Sequence, residues 1–398
     1  MVGNPLGTGR DEYRATRLVI DASNIRVGGG ITHLVEFLRE ADPTSHGFES
    51  IVVWACNATL ARIEDRPWLD KRSDPALEAH LLRRLIWQRW TLPNLVRMAN
   101  ADLLFVPGGS IVAQFRPVVT MSRNMLPFEW RELGRFGFSL TTLKLALLRW
   151  NQGFSFKRAD GTIFLTRYAF DTVTGITGPL TGEVSIIPHG VDKRFRMDPR
   201  PQRPTRELTT TDPLRVVYVS TVDEFKHQWH VVEAIGSLRK EGIPIRLDLY
   251  GSARASTLPR LTEAMQKADP RGEFIRYWGG VDYKEIHQCY AAADVCVFAS
   301  SCENMPNILI ESMAAGLPIA CSDRGPMPEV LGDAGVYFDP ENPASIADAV
   351  RALASNPELR AEKAAGASAA AAKFSWSRCT SETFEFLKTV ALKHRKRN

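Results

Sequence analysis

The stretch SSCENMPNILIESMAAGLPIACSD, residues 300–323, is mostly small and apolar, as a buried segment must be. Yet it carries two glutamates, Glu303 and Glu311, with seven residues between them. Just ahead of it runs DVCVFASS (Asp294–Ser301), a short β-branched and apolar run that reads as a strand buried on both faces. Glu303 therefore falls just past a strand's carboxyl end. After NMPN comes ILIESMAAG, a helical run. Pro306 suits the first turn of that helix, where a missing N–H costs nothing. Gly316 stops it, with Pro318 beyond. Glu311 then lies about one turn inside the helix, and the unpaired N–H groups from about Met305 to Leu309 form an anion-friendly end between the two carboxylates. The plain alternative is that Glu311 is a surface glutamate of a helix and Glu303 an ordinary loop acid.

The same alternation of strand and helix fills the chain. One series of strands runs through RLVIDAS (Arg17–Ser23), SIVVWAC (Ser50–Cys56), ADLLFVP (Ala101–Pro107), PVVTMS (Pro117–Ser122), GTIFLT (Gly161–Thr166) and EVSIIP (Glu183–Pro188). A second runs through LRVVYVST (Leu214–Thr221), IRLDLYGS (Ile245–Ser252), FIRYWGG (Phe274–Gly280), DVCVFASS, LPIACS (Leu317–Ser322) and GVYFD (Gly335–Asp339). Near-continuous apolar strands separated by helices predict parallel sheets covered on both faces, and two series predict two doubly wound α/β domains. The 398 residues suit that number. The stretch DKRFRMDPRPQRPTRELTTTDP, residues 192–213, lacks apolar periodicity and reads as the break. In open parallel sheets ligands bind beyond the carboxyl ends of the strands. Two such domains facing each other would hold a substrate between them.

Composition narrows the classes. Hydrophobic content of 44% is that of a globular protein, and no apolar run reaches the roughly 18–20 residues of a spanning helix. The opening MVGNPLGTGRDEYRATR is polar, so no signal peptide is expected. The six cysteines are scattered without a CxxC pair, as reduced, buried thiols would be, which favours the cytoplasm. His33, His227 and His230 have no metal-ligand spacing, and no metal site is expected. Net charge is +5, but Arg116–Arg158 holds Arg116, Arg123, Arg131, Arg135, Lys144, Arg149, Lys157 and Arg158 against only Glu129 and Glu132. The terminal LKTVALKHRKRN adds five cations.

Carboxylates accept hydrogen bonds from sugar hydroxyls and a helix amino end takes phosphate, so the order at residues 303–311 fits a nucleoside diphosphate sugar. At this point ENMPNILIESMAAGLPIACSDRGPMPEVLGDAGVYFD (Glu303–Asp339) resembles the signature of the family 4 glycosyltransferases of the GT-B fold. Supporting likenesses follow in order: IIPHGVD at the domain junction, VYVSTVDEFKHQWHVVEAI opening the nucleotide domain, LYGS, RYWGGVDYKEIHQCYAAADV, and FSWSRCTSETFEFLKTV as a terminal helix. The resemblance implies two Rossmann-like domains facing across a cleft. Residues 1–190 form the acceptor side, completed by a terminal helix over 377–398 that crosses back, and 191–376 bind the nucleotide sugar. It implies that Glu303 contacts donor sugar hydroxyls and Glu311 the ribose diol. The backbone of Asn304, Met305, Pro306 and Asn307 holds sugar and phosphate, through N–H groups at every position but the proline, and Lys226 contacts the diphosphate. Backbone at Gly251, Gly280 and Val281 approaches the nucleoside. The family's usual arginine five residues before the lysine is replaced by Thr221. Glu303 and Lys226 are the residues expected to carry the chemistry.

On the first domain, Gly28–Gly30 lies between a strand and a helix. It is no dinucleotide fingerprint, because the third glycine of GxGxxG would fall on His33. The family's double-glycine loop maps onto Gly29 and Gly30. Many relatives carry a histidine where this chain has Arg123. Arg123, Asn124 and the junction His189 are the acceptor-side candidates, His189 reading equally as a structural hydrogen-bonding residue.

The resemblance implies a retaining hexosyl transfer, from a GDP-mannose or GDP-rhamnose type donor, to a glycan or lipid-linked glycan in surface-polysaccharide or lipopolysaccharide assembly. No cofactor is implied, and no nucleic acid partner. An epimerase or phosphorylase of the same fold, a nicotinamide dehydrogenase and a non-catalytic nucleotide-sugar-binding protein are the rival readings. Finally, FSLTTLKLALLRWNQGFSFKRADG (Phe138–Gly161) spaces Leu140, Leu143, Leu147 and Trp150 as a helix stripe, with cations nearby. That stripe either packs on the first sheet or lies peripherally on an anionic membrane at its cytoplasmic face.

Overall fold

The computed structural model describes residues 16–397 other than Val27. The first sheet contains β1 (Thr16–Asp21), β2 (Phe48–Trp54), β3 (Leu69–Arg72), β4 (Leu103–Val106), β5 (Val118–Met121), β6 (Gly161–Phe164) and β7 (Glu183–Ile186). These are all parallel, in the order β3-β2-β1-β4-β5-β6-β7. The second contains β8 (Leu214–Val219), β9 (Ile245–Tyr250), β10 (Ile275–Tyr277), β11 (Val295–Phe298), β12 (Ile319–Ser322) and β13 (Gly335–Phe338), also all parallel, in the order β10-β9-β8-β11-β12-β13. The GT-B expectation of two doubly wound α/β domains matches this topology.

The apolar runs are central for the expected reason. Every residue of β4, β5, β6, β11 and β12 is buried, because helices cover both faces. The strand β3, LDKR, goes unread in the sequence. It lies at an edge, and its residues alternate between half-buried and exposed, so it lacks an apolar run.

The chain order reverses between β1 and β4 in one sheet and between β8 and β11 in the other, giving each domain a switch-point crevice. The terminal helix, Trp376–Arg395, packs on the first domain. Phe384 stacks with Phe37 and touches Phe48, at centroid distances of 5.0 and 5.2 Å, and Lys393 pairs with Glu183 at 2.8 Å. Burying Phe384 and Leu387 there contributes on the order of 1.5–3 kcal/mol each. Gly190 lets the junction pass beneath this crossing, since a Cβ there would meet the Trp376 nitrogen at 2.1 Å.

Further contacts join the domains. Glu329 accepts from the backbone N–H groups of Arg167 and Tyr168 at 2.7 and 2.8 Å, capping a first-domain helix from the second domain. Arg135 donates to Glu341 at 2.6 Å.

Of the two readings of the Leu140 stripe, packing on the sheet fails. The helix Leu140–Arg158 buries only its second half, around Gln152, Ser155 and Phe156, while Leu140, Leu143, Leu147 and Trp150 are exposed. Among the described residues no helix is long and apolar enough to cross a membrane.

Candidate functional site

Both switch points open into one cavity of about 540 Å³ between the domains. The segments after β8, β9, β10 and β11 of the second domain build its floor. After β8, the turn Glu224–Lys226 is capped by Asp223, whose side chain accepts from the Glu224 N–H at 2.9 Å. This turn brings Lys226 back over the sheet, and the Tyr218 hydroxyl donates to its carbonyl at 2.7 Å. After β11, the loop carrying Glu303 is stitched to that turn. The Ser301 N–H donates to the Phe225 carbonyl at 2.8 Å, and Ser301 Oγ meets His227 Nε2 at 2.9 Å. The two loops thereby put Lys226 Nζ against Glu303 Oε1, as a nearly buried ion pair.

The helix runs Asn307–Ala314, with Pro306 as the residue just before it rather than in its first turn. Its first backbone bond runs from the Ile310 N–H to the Pro306 carbonyl, which leaves the N–H groups of the opening turn without intrahelical partners. They lie beside Glu303 and Lys226 on the cavity wall.

Glu311 faces inward from the next turn of this helix. Tyr283 donates to its Oε1 at 3.0 Å, and Tyr290 approaches Oε2 at 3.5 Å. Burial pushes the Glu311 carboxyl up to about 7, against the opposing pull of Tyr283 and Arg194. Arg194 in turn lies over the Tyr283 ring, 4.4 Å from its centroid. Tyr283, Tyr290 and Arg194 escape the sequence reading, since they come from separate segments with no shared spacing.

The donor-side candidates largely come together. Gly29, Thr221, Lys226, Gly251, Gly280 and Val281 line the cavity, as do Glu303, Met305, Pro306, Asn307 and Glu311. Gly30 and Asn304 do not. Asn304 instead bridges the domains, its Nδ2 donating to Ser122 Oγ at 3.1 Å and its carbonyl accepting from Thr166 Oγ1 at 3.0 Å. In the glycine loop the backbone demand falls on Gly28, with φ of +69°, and Gly28 lines the cavity beside Gly29. The first domain also brings Arg62, a cation absent from the sequence reading, to the lining. It lines the same cavity as Thr221, the position where the family arginine is missing.

The acceptor-side candidates lie outside that lining. Arg123 donates to the carbonyl of Gly29, a lining residue, at 2.7 Å. Burial lowers its pKa to about 10. Asn124 accepts from the Leu126 N–H at 3.1 Å and is exposed. His189 is buried, stacked on His33 with centroids 4.8 Å apart, and its Nδ1 meets Asn307 Oδ1 at 3.0 Å. Burial, then the Arg123 charge, lower its pKa to about 3, so the ring is neutral and orients Asn307. Among the described residues no group of three or more His, Cys, Asp or Glu side chains converges to hold a metal ion.

Residues 213–356, which include Lys226, Glu303 and Glu311, match the family model described as glycosyl transferases group 1. The O-antigen chain mannosyltransferase B of Escherichia coli is 30% identical over 177 residues, 44% of this chain and 45% of that protein. The chain spans about half the length of the first curated relatives it matches. The structure of sucrose-phosphate synthase from Thermosynechococcus elongatus is similar with a TM-score of 0.69 at 17% identity, covering 96% of this chain and 98% of that one. That of the Anabaena protein HepE in complex with UDP has a TM-score of 0.68 at 18% identity, covering 94% and 100%. The fold is GT-B.

Proposed function

We propose that this chain is a retaining glycosyltransferase that moves a hexose from a nucleoside diphosphate sugar to an acceptor hydroxyl. The observation that carries the reading is the convergence of Lys226, Glu303, Glu311 and an unpaired helix amino end in one interdomain cavity. Its support is the family-model match over the same residues. Glu311 takes the ribose diol, and the Asn307 helix end and Lys226 take the diphosphate. Glu303 takes hydroxyls of the sugar, exchanging its ion pair with Lys226 for them as the donor enters.

In the reaction the anomeric carbon–phosphate oxygen bond breaks and the acceptor oxygen–anomeric carbon bond forms on the same face. The acceptor proton passes to the departing phosphate oxygen, so the protein need supply no base. Negative charge grows on the diphosphate in the transition state, where Lys226 and the helix N–H groups already point. Arg62 offers the second cation from across the cleft.

The donor is proposed to be a GDP-sugar of the mannose or rhamnose type, in keeping with the mannosyltransferase name of the Escherichia coli relative. The acceptor is a surface-polysaccharide glycan, lipid-linked, met in the cytoplasm. Thermal melting with GDP, UDP, ADP and dTDP tests the donor reading, because a ligand bound only by the folded state raises the melting temperature. GDP is expected to give the largest rise. A larger rise with another nucleotide replaces the base, and no rise with any of the four removes the donor site.

A further inference from the structure

The first domain presents two apolar helix faces to solvent, both anchored at the carboxyl edge of its sheet. The segment 81–98 exposes Leu82 (67%), Ile86 (53%) and Trp90 (67%), spaced four apart on one stripe. Its opposite side is held inward by Gln88, which donates to Asp21 Oδ2 and Ser23 Oγ, both at 2.8 Å, at the end of β1. The helix Leu140–Arg158 exposes Leu143, Leu147 and Trp150 (73%). Its inner half is held by Ser155, whose Oγ accepts from the Ile111 N–H at 2.9 Å, beyond the end of the neighbouring strand β4. Arg158 donates to the Ala113 carbonyl, and Ile111 and Ala113 share a core cluster with Trp87, Leu92 and Val96 of the first segment. The two faces therefore flank one short loop. Burial, then Arg116 and Arg89, depress the Arg158 pKa, so cations of both segments lie within electrostatic reach of one another.

Charge is as one-sided as hydropathy. Residues 79–101 contain Arg83, Arg84, Arg89 and Arg97 and no Asp or Glu; residues 133–159 contain Arg135, Lys144, Arg149, Lys157 and Arg158 and again none. Arg135 is committed to Glu132 and Glu341, while Arg149 lies flat on the exposed Trp130 ring, 3.6 Å from its centroid. A large contiguous apolar patch marks an interaction site. Tryptophans among leucines suit the headgroup boundary of a bilayer, where long cationic side chains reach back to the lipid phosphates. A partner protein that matched the eight cations other than Arg135 would need a comparably acidic face; an anionic bilayer supplies that charge at any orientation about its normal.

We propose that this two-helix face docks the protein on an anionic lipid bilayer, with the mouth of the interdomain cleft held beside the lipid. Docking itself does not depend on the transferase reading. Its purpose does: the hydroxyl of a lipid-linked acceptor would enter between the domains at the level where the two helices meet the headgroups.

The test is sedimentation of the full chain with phosphatidylcholine vesicles, with and without phosphatidylglycerol. Binding is expected only with phosphatidylglycerol, and it should be lost between about 0.05 and 0.5 M salt, as screening shortens. Lys144→Gln with Lys157→Gln should weaken it by about fivefold for each cation removed. Leu147→Ser with Trp150→Ser, and separately Leu82→Ser with Trp90→Ser, should each reduce bound protein at least tenfold while the melting temperature stays parental. Equal recovery with both vesicle types and with none overturns the proposal, as does parental binding by both double variants. So does a light-scattering mass that falls from dimer to monomer on substitution of the patch, which would assign the face to a second copy. Nucleotide binding, measured without vesicles, reports on the transferase reading separately.

Discussion

Replacing Glu311 by glutamine is expected to stabilise the ligand-free protein above neutral pH while damaging the donor site. Burial holds the carboxyl at about 7 in the folded chain, against an ordinary value of 4.5. A raised carboxyl pKa means that the folded state holds its proton more tightly than the unfolded one. Below pH 4.5 both states are protonated and the group is neutral in the balance. Between 4.5 and 7 only the folded state keeps the proton, so stability falls as pH rises. Above 7 the loss is complete. The gap of roughly 2.5 units, at 1.36 kcal/mol each, corresponds to about 3 kcal/mol of destabilisation at pH 8.

Glutamine removes that charge without emptying the space. Its oxygen accepts from Tyr283 as Oε1 does now. Its amide donates to the Tyr290 oxygen, and the Tyr290 proton goes to the Ile308 carbonyl, already 3.3 Å away. Urea melts of both chains at pH 5 and pH 8 isolate the term, because other titrating groups cancel between them. The variant's advantage over the parent should grow by about 2.5 kcal/mol from pH 5 to pH 8, the first part of the loss being already taken at pH 5. In parallel, its affinity for nucleotide should fall at pH 8, where the parent presents a full carboxylate to the ribose. Parallel pH profiles for the two chains would refute the buried-charge argument, and undiminished nucleotide affinity would refute the ribose role.

Three further outcomes follow, two from the same cavity and one from the domain contact. Lys226→Ala should lower kcat/KM by roughly 10- to 150-fold, the range of a lost hydrogen bond to a charged group, and a change within about twofold would remove Lys226 from the chemistry. Arg62→Ala should weaken nucleoside diphosphate binding two- to fivefold at low salt and not at high salt, with the monophosphate unaffected; exposed cations give effects of that size, and equal losses for both nucleotides would place Arg62 elsewhere. Glu329→Gln should loosen the cross-domain cap on Arg167 and Tyr168, read as a larger radius of gyration in small-angle scattering, and an unchanged radius would mean that the remaining cross-domain contacts suffice.

What the sequence exposes depends on how each signal is written into the chain. Strands covered on both faces, such as VCVF of β11, must be apolar throughout, so both sheets can be read before any coordinates exist. The edge strand LDKR has no such obligation and stays hidden. Within the site, Glu303, Glu311 and the helix end are legible because a single strand-loop-helix unit fixes their separation. The shell around Glu311 is not, since Arg194, Tyr283 and Tyr290 come from three segments brought together only by packing. Arg123 shows a different limit. Its place after β5 is legible, but only the structure shows its guanidinium donating to the Gly29 carbonyl. The Leu140 stripe marks the boundary between these cases. Its spacing specifies a helix with one apolar side, and nothing in that spacing says what covers the side. Only the coordinates show that Gln152 and Ser155 face the sheet and the leucines do not. A residue buried by its own fold and a residue buried by a partner obey the same rule of apolar periodicity. The leucine stripe is therefore where the fold of this chain leaves a requirement open for something outside it.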